Sequence, residues 1–212
     1  MLPSELVPAI KRDSRRLMLV LHGLGDSPEG YRWLPESLKL DWLNYLLITA
    51  PDPYYGGFSW YDIYEDPAPG VERSRKLLFE LLDDLRKKGV NAEDMVCFGF
   101  SQGCLMSLEI GARYPARLAG IVGISGYAHK PEQLVRELSP VATRQRFLIT
   151  HGTQDPLIPI QDVRPQVELL RKAGLQIDWR EFNKQHTIAG ETELAVIRDF
   201  VRAGFNGVQD NV

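Results

Sequence analysis

Short aliphatic runs alternate with amphipathic helical patterns along almost the whole chain, and few architectures accept that rhythm. Apolar runs occupy 16–21, 45–50, 95–100, 118–124 and 147–150, and 175–182 alternates apolar with polar residues. Runs apolar on consecutive positions suit strands whose two faces are both covered, as in a parallel sheet flanked by helices. Helical spacing fills the gaps. In 71–88, Val71, Leu77, Leu78, Leu81, Leu82 and Leu85 fall on one stripe, with Gly89 placed to end it. The segments 102–114, 160–173 and 191–202 read the same way, the first two stopped by Pro115 and Gly174. The pattern predicts a single α/β domain over 1–212, with a mostly parallel central sheet, helices on both faces, and frayed tails at 1–14 and 204–212.

Composition narrows the function classes. The 25 Lys+Arg against 28 Asp+Glu leave a net charge of -3, which offers no electrostatic footprint for nucleic acid. The longest plain aliphatic run, Leu17 to Leu21, is far short of the ~20 residues of a membrane helix, so no stable membrane insertion is expected. The N-terminal stretch lacks the continuous apolar core of a secretory signal. The basic cluster 11–16 is short and interrupted, and reads as a solvated approach to a strand. Two cysteines, Cys97 and Cys104, make no disulfide framework and suit a reducing cytoplasm. A homodimer is compatible with all of this.

Gly99-Phe100-Ser101-Gln102-Gly103 is a G-x-S-x-G motif with an expected strand entering it and an expected helix leaving it. That context is what a nucleophile elbow requires. A serine on so sharp a turn has strained backbone angles, and side chains two positions to either side would collide. The same turn aims the Gln102 N–H and the positive end of the helix at a developing oxyanion. A plain glycine-rich strand-to-helix turn is the simpler alternative, and Gly57-Phe58-Ser59 and Gly123-Ile124-Ser125 show how common the shorter G-x-S pattern is.

A serine nucleophile needs a base, and the chain has 4 histidines: His22, His129, His151 and His186. Position alone does not choose, because His22 and His151 both follow strands and His129 and His186 both lie in loops. Chain order does. Elbow-type hydrolases run Ser, then Asp or Glu, then His. Only His151 and His186 lie far enough beyond Ser101, and only His186 leaves room for an intervening acid at a strand end. That acid is Asp155. Asp162 reads as a helix-start charge and Asp178 as a solvent-facing strand residue. For the second oxyanion donor, the loop Leu21-His22-Gly23-Leu24-Gly25-Asp26 offers the Leu24 N–H as partner to that of Gln102. There is no phosphate loop, dinucleotide fingerprint or zinc motif.

Three segments, Leu21 to Asp26, Gly99 to Gly103, and His151-Gly152-Thr153-Gln154-Asp155-Pro156-Leu157-Ile158-Pro159, together resemble the acyl-protein thioesterase and phospholipase/carboxylesterase family of α/β-hydrolases. The resemblance runs from about Leu17 to Phe200. It implies a triad of Ser101, Asp155 and His186, an oxyanion hole of the Leu24 and Gln102 amides, and cofactor-free hydrolysis of a small-molecule ester or thioester. Gln185 stands where the family usually has glycine, and Cys104 where it often has a small residue. The stretch between Trp60-Tyr61-Asp62 and the helix at 71 is short, so a trimmed acyl-binding loop favours small to medium acyl groups. The aromatic-rich segment 54–64 supplies Phe58, Trp60 and Tyr61 as one expected pocket wall, with packing over the sheet edge as the competing reading. Leu157 and Ile158 are the other expected wall. Lysophospholipase or deacetylase activity on the same triad, or a catalytically silent binding protein, are the rival functions.

Overall fold

A computed structural model describes residues 2–205. Seven strands form one sheet in the order β1-β3-β2-β6-β7-β8-β9: β1 (Ser4–Val7), β2 (Leu17–Leu21), β3 (Asn44–Ile48), β6 (Met95–Phe100), β7 (Gly120–Ile124), β8 (Arg146–Gly152) and β9 (Gln176–Phe182). All neighbours are parallel except β1, which runs antiparallel to β3 with Leu6 opposite Leu46. A separate hairpin joins β4 (Asp52–Tyr54) to β5 (Gly57–Ser59). The helices are α1 (Leu34–Leu38), α2 (Ala68–Lys87), α3 (Gln102–Arg113), α4 (Pro131–Arg136), α5 (Ile160–Lys172) and α6 (Gly190–Phe205).

The continuous aliphatic runs serve two cores at once. Leu17, Leu19 and Leu21 of β2 join Leu78 and Leu82 of α2, Leu105 of α3, and Val163 and Val167 of α5. Met18 and Val20, one residue out of phase, join Leu34 and Leu38 of α1 and Leu194, Ile197 and Val201 of α6. Side chains alternate across a strand, so both phases must be apolar when both faces are covered. β9 lies at the edge and shows the alternation expected there, with Ile177 buried between exposed Gln176 and Asp178.

Two expectations need correction. The expected N-terminal tail 1–14 is not frayed over its described residues, 2–14: β1 pairs along the β3 edge, and the Thr49 N–H reaches the Pro3 carbonyl at 2.9 Å. Its four residues, bracketed by Pro3 and Pro8, are too few to show a hydrophobic period, and Leu6 stays 59% exposed. At the other end, Gly204 and Phe205 belong to α6, with Phe205 buried. Residues 206–212 of the expected C-terminal tail lie outside the described residues. The 54–64 segment, read as a long loop, begins as a hairpin whose two turn residues, Tyr55 (φ 42°) and Gly56 (φ 91°), both have positive φ. Such turns match the twist of paired strands, but usually carry Asn or Gly at both positions.

Candidate active site

Ser101 sits between β6 and α3 with φ 54° and ψ −114°, a strained conformation for any residue but glycine. The flanking glycines are steric necessities. A Cβ on Gly99 would lie 2.0 Å from the Gly103 carbonyl oxygen, and one on Gly103 would lie 2.1 Å from that of Leu21. The Ser101 N–H donates to the Ile124 carbonyl at 2.9 Å, fixing the elbow to the end of β7.

β8 ends in the turn that carries Asp155. The carboxylate is 0% exposed and fully committed. Oδ1 accepts the Leu157 and Ile158 amides, each at 2.9 Å, and Oδ2 faces His186 Nδ1 at 2.7 Å. Burial pushes this carboxyl's pKa up, but the Ile158 amide, His186 and the Leu157 amide outweigh it and hold it below the usual value. His186 Nε2 lies 2.9 Å from Ser101 Oγ. With Nδ1–H donating to Asp155, the free Nε2 lone pair accepts the serine hydroxyl. Three residues from three different strand ends thus share one unbroken hydrogen-bond chain.

His22 and His151 are engaged elsewhere. His22 Nδ1–H donates to the Gly23 carbonyl at 2.7 Å and its Nε2 accepts the Ala50 N–H at 3.1 Å, tying the ends of β2 and β3 together. His151 donates from Nε2 to the Ile158 carbonyl at 2.8 Å and stacks on Trp179. Burial lowers the pKa of both. His129 lies in the loop after β7, and no described hydrogen bond joins it to Ser101.

The loop after β2 passes directly beside the serine: a Cβ on Gly23 would touch Phe100 at 3.1 Å and Ser101 Cβ at 3.4 Å. The hairpin braces the next residues, with the Gly25 N–H on the Phe58 carbonyl and the Phe58 N–H on the Asp26 carbonyl, both 2.9 Å. Gln102 begins α3, where the first N–H groups have no intrahelical acceptor.

The expected aromatic wall is only partly available. Trp60 and Tyr61 are 0% and 1% exposed and belong to the core, so they present no surface to a ligand. They hold the site from behind instead. The Trp60 N–H donates to Gln102 Oε1 at 2.9 Å, Gln102 Nε2 donates to the Tyr61 carbonyl at 2.9 Å, and Trp60 Nε1 donates to the His22 carbonyl at 2.9 Å. A tryptophan buries best with its N–H satisfied, and only the tertiary contact supplies that acceptor. Phe58 is partly buried beside His22. Leu157 is 71% exposed, while Ile158 packs against the core.

One concave feature escaped sequence reading. Tyr31, Trp33, Phe100, Ile188 and His186, with Asp26 at one side, line a cavity of about 400 Å³. Tyr31 and Trp33 come from a 3₁₀ turn and the residues after it, whose period signals neither helix nor strand. Among the described residues no cluster of three metal-ligating side chains occurs, and no helix is long and apolar enough to cross a membrane.

The profile of the phospholipase/carboxylesterase family matches residues 3–204. The chain belongs to that family. The acyl-protein thioesterase 1 of Schizosaccharomyces pombe is 34% identical over 67% of this chain and 69% of its own. That of Debaryomyces hansenii is 27% identical over 93% of this chain and 97% of its own. Among solved structures, esterase PE8 superposes with a TM-score of 0.81 at 27% identity, covering 95% of this chain and 98% of its own. Arabidopsis thaliana SOBER1, at 23% identity over 90% of this chain and 99% of its own, shares the fold with a TM-score of 0.82. As a member of this family the protein is a serine hydrolase of the α/β-hydrolase fold acting on esters or thioesters.

Proposed function

We propose that the protein cleaves carboxylic esters or thioesters of small to medium acyl chains through an acyl-enzyme on Ser101. The observation that carries this reading is the hydrogen-bond chain from Ser101 Oγ through His186 to Asp155. His186 takes the hydroxyl proton from Ser101 as the oxygen attacks the acyl carbon. Asp155 holds the imidazole in the tautomer with Nε2 free and stabilises the imidazolium that forms. The Leu24 and Gln102 amides receive the oxyanion. His186 then gives its proton to the departing alcohol or thiol, and the Ser101 ester forms. In the second half, His186 takes a proton from water, hydroxide attacks the acyl carbon, and Ser101 leaves with that proton as the acid is released.

The leaving group departs on the His186 side, and the cavity between Tyr31, Trp33, Phe100 and Ile188 is the space available to it. At about 400 Å³ it lies near the lower end of ordinary ligand pockets, in keeping with compact substrates. Leu157, exposed beside the Asp155 turn, offers apolar surface to the substrate. Two buried free thiols fit a reducing compartment such as the cytoplasm.

The test is intact mass after fluorophosphonate treatment, with peptide mapping. One adduct, on Ser101, is expected, and Ser101→Ala should lose both labelling and ester turnover while staying folded. An unlabelled, folded native chain would sink the proposal. A panel of acyl esters, thioesters, lysophospholipids and acetylated substrates then ranks the rivals that share this machinery.

A further inference from the structure

The loop that carries His186 is fastened by a buried ion pair. Lys184 precedes the histidine by two residues, and Glu193 lies in the first turn of α6. Lys184 Nζ meets Glu193 Oε1 at 2.6 Å and Oε2 at 2.8 Å, with side-chain exposures of 2% and 0%. The same carboxylate accepts the Thr150 hydroxyl from β8 and the Ala189 N–H at 2.6 Å. One side chain therefore grips the loop on both sides of His186 and anchors it to the central sheet.

The Lys184 backbone is tied as closely to the Asp155 turn. Its carbonyl accepts the Gln154 N–H at 3.1 Å, and a Cβ on Gly152 would come within 2.4 Å of it. A buried ion pair contributes little net stability over well-packed apolar residues of the same volume. Its directional bonds do restrict geometry. A base that must meet a serine hydroxyl at hydrogen-bond distance needs such restriction, because small displacements are costly to rate.

We infer that Lys184 and Glu193 are positioning residues that hold His186 in line with Ser101 and Asp155, an assignment that rests on the acyl-enzyme reading above. Several charged and titratable groups surround the imidazole. Asp155 lies on its Nδ1 side, His151 stands behind Asp155, Asp26 lines the cavity that His186 also lines, and the Lys184 and Glu193 charges lie to the rear. The pair is electrically balanced, so losing either member also leaves an uncompensated charge near the imidazole.

The experiment compares the native chain with Lys184→Met, Glu193→Gln and the uncharged double variant Lys184→Met/Glu193→Gln, whose amide oxygen can still accept from Thr150 and Ala189, using a p-nitrophenyl ester. In the folded single variants kcat should fall about tenfold to a hundredfold, with KM within about twofold. The double variant should regain thermal stability but keep a low kcat, which separates positioning from folding. Native kcat in that variant, or a loss borne by KM, would overturn the assignment. If no variant folds, amide exchange of the native chain decides: Ala189 protected as strongly as β8 supports the clasp, and loop-like exchange refutes it. Fluorophosphonate labelling of native Ser101 alongside unchanged variants would sink only the clasp. No labelling of the native chain would sink the hydrolytic reading itself.

Discussion

The side chain of Gln102, the residue after Ser101, ends on the backbone of Trp60, whose N–H it accepts at 2.9 Å. Its amide group also donates to the Tyr61 carbonyl at 2.9 Å, so the start of α3 is bolted to the strap leaving the hairpin. The elbow is thus held by the side chain of the residue whose main-chain N–H faces the reacting oxygen in the proposed mechanism.

Gln102→Ala leaves the buried Trp60 N–H unpaired, while the Tyr61 carbonyl keeps the Ser59 hydroxyl at 2.7 Å. An unsatisfied buried group costs about 1–3 kcal/mol, and urea denaturation should show a loss in that range or slightly above. The oxyanion donor is loosened at the same time, so kcat should fall while KM changes little. Steady-state kinetics at a temperature where the variant is fully folded checks this.

Asp155→Asn keeps the volume but removes the charge that selects the His186 tautomer. Expected is a loss of kcat of about 10⁴-fold, with a lower melting temperature because the charge stabilised by the Leu157 and Ile158 amides and His186 is gone. A variant that turned over esters at more than a tenth of the native rate would show that Asp155 does not orient the base.

Glycines in this chain fall into two kinds, and alanine distinguishes them. Gly103→Ala forces a Cβ within 2.1 Å of the Leu21 carbonyl oxygen, where backbone and not a flexible side chain must move. It should cost about 3 kcal/mol or more, a drop in Tm of about 6–12 °C for a chain of this size. Gly89→Ala meets nothing within 4 Å and pays only for its φ of 91°, roughly 1–2 kcal/mol. Differential scanning fluorimetry of the two side by side is sufficient.

Stability should fall on acidification in two windows. Burial holds His22 and His151 below their usual pKa, so below pH about 6.5 the unfolded chain binds protons that the folded chain refuses. Each can contribute a slope approaching about 1.4 kcal/mol per pH unit. Asp155, also depressed when folded, contributes stability above pH about 3.9 that is lost as pH falls through its folded value. Urea midpoints at pH 7.5, 6.5 and 5.5 test the first window. Equal midpoints at all three would show that both histidines accept protons in the folded state.

Local pattern announced what local physics controls. Doubly apolar runs can only be strands covered on both faces, so the main sheet strands and the four long helices stand near the expected positions. Ser101 was visible because the elbow leaves a steric signature, the two glycines at fixed distance. His186 and Asp155 were reached through chain order, which reports topology and not distance. The short N-terminal strand and the hairpin were not visible, since three or four residues carry too little period and draw their pairing from distant partners.

What tertiary structure decided is which of two uses a residue serves when its chemistry permits both. Trp60 and Tyr61 are as aromatic in a pocket wall as in a core, and only the packing of α2 and α3 around them made them core. His22 and His151 follow strands as a catalytic base could, and only the Gly23 carbonyl, the Ala50 amide and the Ile158 carbonyl committed their nitrogens elsewhere. Lys184 and Glu193 belong to no sequence motif, and only folding buries them against each other. The sequence by itself determined the architecture and the elbow that carries Ser101, because periodicity and steric exclusion act between near neighbours. Burial and hydrogen-bond partnership are set by residues far apart in the chain, and those belong to the folded state alone.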